Sequence, residues 1–270
     1  NHCVAPVPCP RKANGSVTAI QDATPDSGYA LLSDRAQTLH AKGLNAHFLS
    51  RYDSPMLRTL LLNPDAAFAE PDVELLKTDI KTTLCTTSFD GNRFVIKRYN
   101  IKNTWHRLRQ AVRSPRAKNC WIFARLLSDI GIITARPVAW AQERQAGFRG
   151  KSWFVCEHIS NGARGDTLND HSDPVLMERT LQDVTRLFVL MRQNQLSHGD
   201  MKPPNILMTP DQTVLLDLDA MRHHTSQAAC ERALTTDIAR WMQWWRKDQP
   251  ERAINARMET LLAQAGFSVT

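Results

Sequence analysis

The sequence predicts an α+β chain in two lobes, a β-rich N-terminal lobe and a mostly helical C-terminal lobe with a short activation segment. Three observations predict it. Strand-like apolar runs crowd between residues 73 and 159, whereas beyond residue 173 apolar positions recur at the three-to-four spacing of helices. In the second half lies His198-Gly199-Asp200-Met201-Lys202-Pro203-Pro204-Asn205-Ile206-Leu207, followed by Val214-Leu215-Leu216-Asp217-Leu218-Asp219. After Asp219 the segment Ala220–Arg232 is too short for a long regulatory loop before helical spacing resumes.

Transfer of a phosphoryl group to a hydroxyl needs the groups of that stretch at those offsets. A carboxylate, Asp200, accepts or orients the acceptor hydroxyl, with Lys202 two residues on as its catalytic companion. An amide oxygen, Asn205, and a second carboxylate, Asp217, share Mg²⁺ on the triphosphate of ATP. Ile206-Leu207 and Val214-Leu216 read as a buried hairpin turned at Thr209–Gln212, which returns Asp217 to Asn205. A solvated loop explains a lone Gly-Asp; it does not explain this set of fixed offsets. Kinase chemistry also needs a strand lysine upstream. Arg93–Tyr99, entered through the turn Phe89–Asn92, is a β-rich run that carries Lys97 to grip the α- and β-phosphates.

The elements follow in order. Residues 1–28 are rich in Pro, Ala, Ser and Gly without periodicity and read as an extended arm. Residues 29–159 read as a helical extension followed by the β-rich lobe, and 160–270 as the helical lobe. A helix is expected over 33–50, capped by Ser33 and broken near Gly43, and a short apolar piece over Leu57–Leu62 ends at Asn63-Pro64. Strands are expected at Val73–Leu76, Thr82–Phe89 and Arg93–Tyr99. The link Lys77–Thr83 stands where a glycine-rich phosphate loop belongs, yet has no glycine, so a phosphate contact and a plain turn are both open. Ser114-Pro115 starts a helix, Ser114 as cap and Pro115 at the first helical position, with Trp121, Ala124 and Leu127 inward and Gly131 ending it. Val138–Trp140 and Trp153–Ile159 are further strands around a turn at Gly147–Gly150. The second breaks at a hinge where Glu157 and Ile159 offer backbone groups to the adenine of ATP. Asp173-Pro174 caps a helix lined by Leu181, Val184, Leu187, Phe188 and Met191. Leu234, Ile238, Trp241 and Trp245 line another, with Asp237 beside them as a brace for the Asp200 loop. A last helix runs from Pro250 to Gly266.

Charge narrows the acceptor. Between Gly91 and Ser128 there is no Asp or Glu, while ten Lys and Arg fall there, and the chain carries +7 overall. Arg107, Arg109, Arg113, Arg116 and Lys118 are therefore candidate contacts for a polyanionic acceptor or an anionic membrane surface. No recognition motif for nucleic acid accompanies them. No apolar run reaches the ~20 residues of a membrane span. Neither a charged-then-apolar leader nor a Cys-x-x-Cys pair occurs, so reduced cytosolic thiols are expected of the six cysteines.

The sequence resembles the lipopolysaccharide core sugar kinases, the Kdo/heptose kinase family, over about residues 74–246. Phe94–Asn100, Trp105–Lys118, Gly131–Pro137, Ser197–Lys202, Leu216–Arg222 and Asp237-Ile238-Ala239-Arg240 carry the resemblance. It implies a protein-kinase-like fold and an ATP- and Mg²⁺-dependent enzyme at the cytoplasmic face of the inner membrane. Its acceptor there would be a Kdo or heptose hydroxyl of the lipid A–core. Two positions depart from the protein-kinase pattern. Gly199 stands where an Arg precedes the catalytic Asp, and the helix position expected to hold a Glu against Lys97 falls near Asn119-Cys120. Besides a core sugar kinase, the residues leave open a phosphotransferase for another small hydroxylated molecule and a non-catalytic nucleotide-binding module.

Overall fold

Seven strands of the N-terminal half hydrogen-bond into one antiparallel sheet in the computed structural model. The structure describes residues 35–41, 43–70, 73–100, 114–145, 148–169, 172–246 and 253–268. Strands β1 (Ala36–Ala41) and β2 (Leu44–Leu49) precede helix α1 (Pro55–Leu62). Then come β3 (Leu75–Thr78), β4 (Thr82–Phe89), β5 (Asn92–Tyr99), helix α2 (Arg116–Asp129), β6 (Pro137–Gln145) and β7 (Phe148–Glu157). Their order across the sheet is β1-β2-β6-β7-β5-β4-β3. Period-two alternation along β5 sends Phe94 and Ile96 to one face with α1, and Lys97 and Tyr99 to the other with α2.

The second half is helical. After β8 (Ala163–Arg164), helix α3 (Pro174–Gln193) leads to β9 (Leu196–Ser197), the hairpin β10 (Ile206–Met208) and β11 (Thr213–Leu215), and β12 (Arg222–His223). Helices α4 (Gln227–Arg246) and α5 (Ala253–Gln264) finish it. Asp173 caps α3 through Val175 N–H at 3.0 Å, and all five apolar positions expected on its inner face are buried. The inner positions of α4 and α5 are buried likewise. One continuous apolar cluster joins the α2 face of the sheet to α3, α4 and α5, so the two lobes share a core behind the cleft. The result is a two-lobed protein-kinase-like fold.

Three expectations are corrected. Residues 33–50 do not form a helix where described: β1 and β2 make a hairpin in which Ala41 pairs with Leu44. Gly43 takes φ +80°, a turn conformation that would break a helix and that suits a tight hairpin. Leu44, Ala46 and Phe48 are then buried with period two. Second, α2 has no side-chain cap; Pro115 occupies the capping position with φ −56° and ψ 137°. Third, β6 and β7 run on to Gln145 and from Phe148, so Gly150 lies within a strand. A Cβ there would meet only the flexible Glu143 side chain, so the strand accommodates the glycine without requiring it. The short activation segment is present, since only β12 and a few residues separate Asp219 from α4.

Candidate active site

The loop His198–Asn205 is held from below by one buried carboxylate. Asp237, from the middle of α4, is 1% exposed and accepts from the backbone N–H of His198 at 2.8 Å, Gly199 at 3.0 Å and Met201 at 3.4 Å. A carboxylate taking several backbone N–H groups makes the strong, charge-assisted kind of hydrogen bond. The brace expected from sequence is thus in place. His198 is fully buried: its Nε2 donates to Leu216 O at 2.9 Å and its Nδ1 accepts from Asp200 N–H at 3.3 Å. These partners fix its tautomer and tie the Asp200 loop to the segment after β11 that carries Asp217. Gly199 has φ +80°, and a Cβ on it would come within 2.6 Å of Ala220 O. That explains glycine, and not arginine, before Asp200.

Asp200 faces the cleft between two cations. Lys202 Nζ lies 2.6 Å from its Oδ2, and Arg240 Nε lies 3.9 Å from its Oδ1. Arg240 also donates to Gly199 O at 2.6 Å. The Asn205 amide nitrogen donates to Asp200 O at 2.8 Å, which leaves the amide oxygen as the atom that could take a metal ion. Leu216 N–H donates to Asn205 O at 2.8 Å, and Leu215 is gripped from the other side by Ile133 O and Thr134 Oγ1. The hairpin therefore delivers Asp217 to Asn205 as the spacing predicts.

Asp217 has φ +57°, a left-handed conformation that aspartate tolerates better than most residues. Its Oδ1 lies 2.5 Å from Lys97 Nζ, and Asp219 Oδ2 lies 3.8 Å from the same ammonium. Burial alone would raise the Asp217 carboxyl, but the Lys97 charge overrides it and holds the group below the ordinary range. Burial works against the Lys97 ammonium as well; Asp217 more than compensates and its pKa rises.

Other predicted residues are placed as follows. Glu157 ends β7, its N–H bonded to Arg136 O at 2.9 Å and its Oε1 accepting from the Tyr52 hydroxyl at 2.6 Å. Glu157 and Ile159 line a cavity of about 360 Å³ with Arg136, His158 and Val214; neither Lys97 nor Asp217 lines it. In the link from β3 to β4, the Asp79 carboxylate accepts from Lys81 N–H and Thr82 N–H, both at 2.7 Å. The turn closes on its own side chain. Arg107, Arg109 and Arg113 lie outside the described residues. Arg116 is turned into the cleft, paired with Asp219 and stacked 4.7 Å over the Tyr99 ring, while Lys118 is half-buried. Among the described residues Cys85, Cys120, Cys156 and Cys230 are buried free thiols. Tyr52, Thr134 and Arg240 were missed as site residues; only Arg240 leaves a trace, standing one helical turn from Asp237.

A strand lysine, a braced His-x-Asp loop and a hairpin aspartate around one cleft define a kinase, that is, a phosphotransferase. Comparison with known proteins makes the class narrower. The chain belongs to the Lipopolysaccharide kinase (Kdo/WaaP) family, whose model matches residues 78–252. Its fold is similar to a solved structure described as "WaaP in complex with acyl carrier protein". The two share 16% identity and a TM-score of 0.57 over 78% of this chain and 87% of that one. No curated protein sequence matches the chain.

Proposed function

We propose that the protein uses Mg-ATP to phosphorylate a sugar hydroxyl, Kdo or heptose, of the lipopolysaccharide inner core. The observation that carries it is the convergence of Asp200, Asn205, Asp217 and Lys97 on one cleft in a chain of this family. Among the described residues no three His, Cys, Asp or Glu side chains form a metal site alone. One or two carboxylates with an amide oxygen is the protein share that Mg²⁺ takes when phosphate oxygens and water complete its shell. The residues fit it.

Asn205 and Asp217 would hold the metal, which supplies neutralisation of phosphate charge. Lys97 would exchange Asp217 for the α- and β-phosphates, and the backbone of Glu157 and Ile159 would meet the adenine edge. Asp200 orients the acceptor hydroxyl and takes its proton as that oxygen bonds the γ-phosphorus and the bond to ADP breaks. Lys202, beside Asp200 Oδ2, is placed to offset negative charge on the phosphoryl oxygens during transfer. The acceptor is a polyanionic amphiphile, which suits the +7 chain. Among the described residues no helix is long and apolar enough to cross a membrane. We place the protein at the cytoplasmic face of the inner membrane, on its anionic surface. Mass spectrometry of lipid A–core acceptors incubated with protein and Mg-ATP tests this. A gain of one phosphate on the core sugar, absent with Asp200→Ala, is expected; phosphorylation of soluble hydroxylated molecules alone would assign the protein to another acceptor class.

A further inference from the structure

Helix α2 carries no acid near Lys97; the α2 residue beside that ammonium is Cys120, and its neighbour Asn119 turns to the loop that carries Asp217. We propose that α2 is a standing latch on the metal loop, in which Asn119 and Arg116 replace the acidic helix residue that protein kinases set against the strand lysine. The latch rests on the nucleotide function proposed above, because its loop carries Asp217.

Asn119 Nδ2 lies 2.9 Å from Asp219 O, 3.1 Å from Met221 O and 3.4 Å from Leu218 O. An amide has two protons to give to these carbonyls, whereas an ionised carboxylate has none and would be repelled by all three. An acidic residue at this position would therefore open the loop. The geometry selects against the residue that protein kinases use.

Arg116 stands three residues earlier on the same helix, so both side chains leave one face. It pairs with Asp219, whose side chain is 8% exposed, and so completes an alternating row: Arg116, Asp219, Lys97, Asp217. The row gives each carboxylate a cation and gives Lys97 a second-nearest acid already satisfied elsewhere. Without Arg116, the charge of Asp219 would fall on Lys97 and compete with phosphate for it. Cys120 adds no charge to this balance. Burial pushes its thiol up to about 12, and it hydrogen-bonds the Tyr99 hydroxyl at 3.1 Å. Because Asn119 grips backbone, the loop is held whatever its side chains bind. With Gly199 before Asp200 there is no arginine at that position to pair with a phosphorylated segment, so a hold of this kind orders the loop instead.

The test is calorimetric binding of ATP to the full chain with and without Mg²⁺, with the melting temperature of every variant recorded. Asn119→Ala is expected to lose about tenfold of the affinity that Mg²⁺ adds, as two hydrogen bonds to the loop are lost, while metal-free binding stays within about twofold. Asn119→Asp should lose more. Arg116→Gln should weaken metal-free ATP binding by about fivefold, because a half-exposed ion pair no longer draws Asp219 from Lys97. Folded variants that keep both wild-type affinities would overturn the latch alone. Should the Asn119 variants fail to fold, Arg116→Gln decides, and unchanged metal-free affinity there overturns the latch. Wild-type protein that binds no Mg-ATP would instead overturn the nucleotide function, and the latch with it.

Discussion

The proposed mechanism sets Asp200 and Asp217 on opposite sides of the chemistry, so their variants should fail in different ways. Asp200→Ala is expected to abolish phosphoryl transfer, while ATP affinity stays within a few-fold of wild type. In the proposed mechanism its carboxylate acts on the acceptor, whereas nucleotide contacts fall to Lys97, the hinge and the metal ligands. Steady-state rates beside a binding isotherm check this, and most of the turnover surviving would remove Asp200 from the mechanism. Asp217→Ala should raise the Mg²⁺ concentration needed for half-maximal rate more than Asn205→Ala does, because a carboxylate neutralises metal charge that an amide only coordinates. An unchanged metal titration in Asp217→Ala would sink that assignment. These residues were legible in the sequence because a tight loop and a short hairpin fix their distances locally. Asn119 and the loop it grips are about a hundred residues apart, and only tertiary docking brings them together, so spacing gives no sign of the bond.

The β1–β2 hairpin was the element that sequence misplaced. Apolar residues at Leu39, Leu44, Ala46 and Phe48 satisfy a helical period about as well as a strand period over so short a run. The turn at Gly43 and a sheet edge waiting in β6 decide it: Phe48 pairs with Ala139, and His47 with Trp140. Docking the hairpin there leaves a measurable mark. His47 stacks on Trp140 with ring centroids 4.7 Å apart, and burial, with Lys118 adding repulsion, lowers its pKa to about 4. An unfolded histidine titrates near 6.5, so the unfolded chain takes up the proton first and stability must fall as pH drops between those two values. Urea unfolding across pH 7 to 4 should show this loss, and His47→Gln should flatten it. A His47 ring titrating at its ordinary value by NMR would contradict the packing. By contrast α3, α4 and α5 were legible as helices, because their apolar stripes keep a helical period over several turns.

At the scale of the whole molecule, charge separates the acceptor classes. The segment Gly91–Ser128 is basic throughout, yet its cations do not share one role. Lys97 and Arg116 are committed to Asp217 and Asp219 inside the cleft, so a test of acceptor binding must leave them intact. Arg107, Arg109 and Arg113 are the positions to reverse. Each basic group near an anionic surface contributes about 1 kcal/mol, so the triple reversal to Glu should weaken acceptor binding on the order of tenfold or more while ATP binding holds. Added salt should shrink the difference, since such contacts are screened over roughly 8–10 Å at moderate ionic strength. Acceptor KM measured on lipid A–core in anionic vesicles, at low and moderate salt, gives the answer. A merely solvated basic face predicts a KM that moves with neither the reversal nor the salt. That outcome would turn the substrate toward a small neutral hydroxyl compound, with the same Asp200 chemistry acting on it.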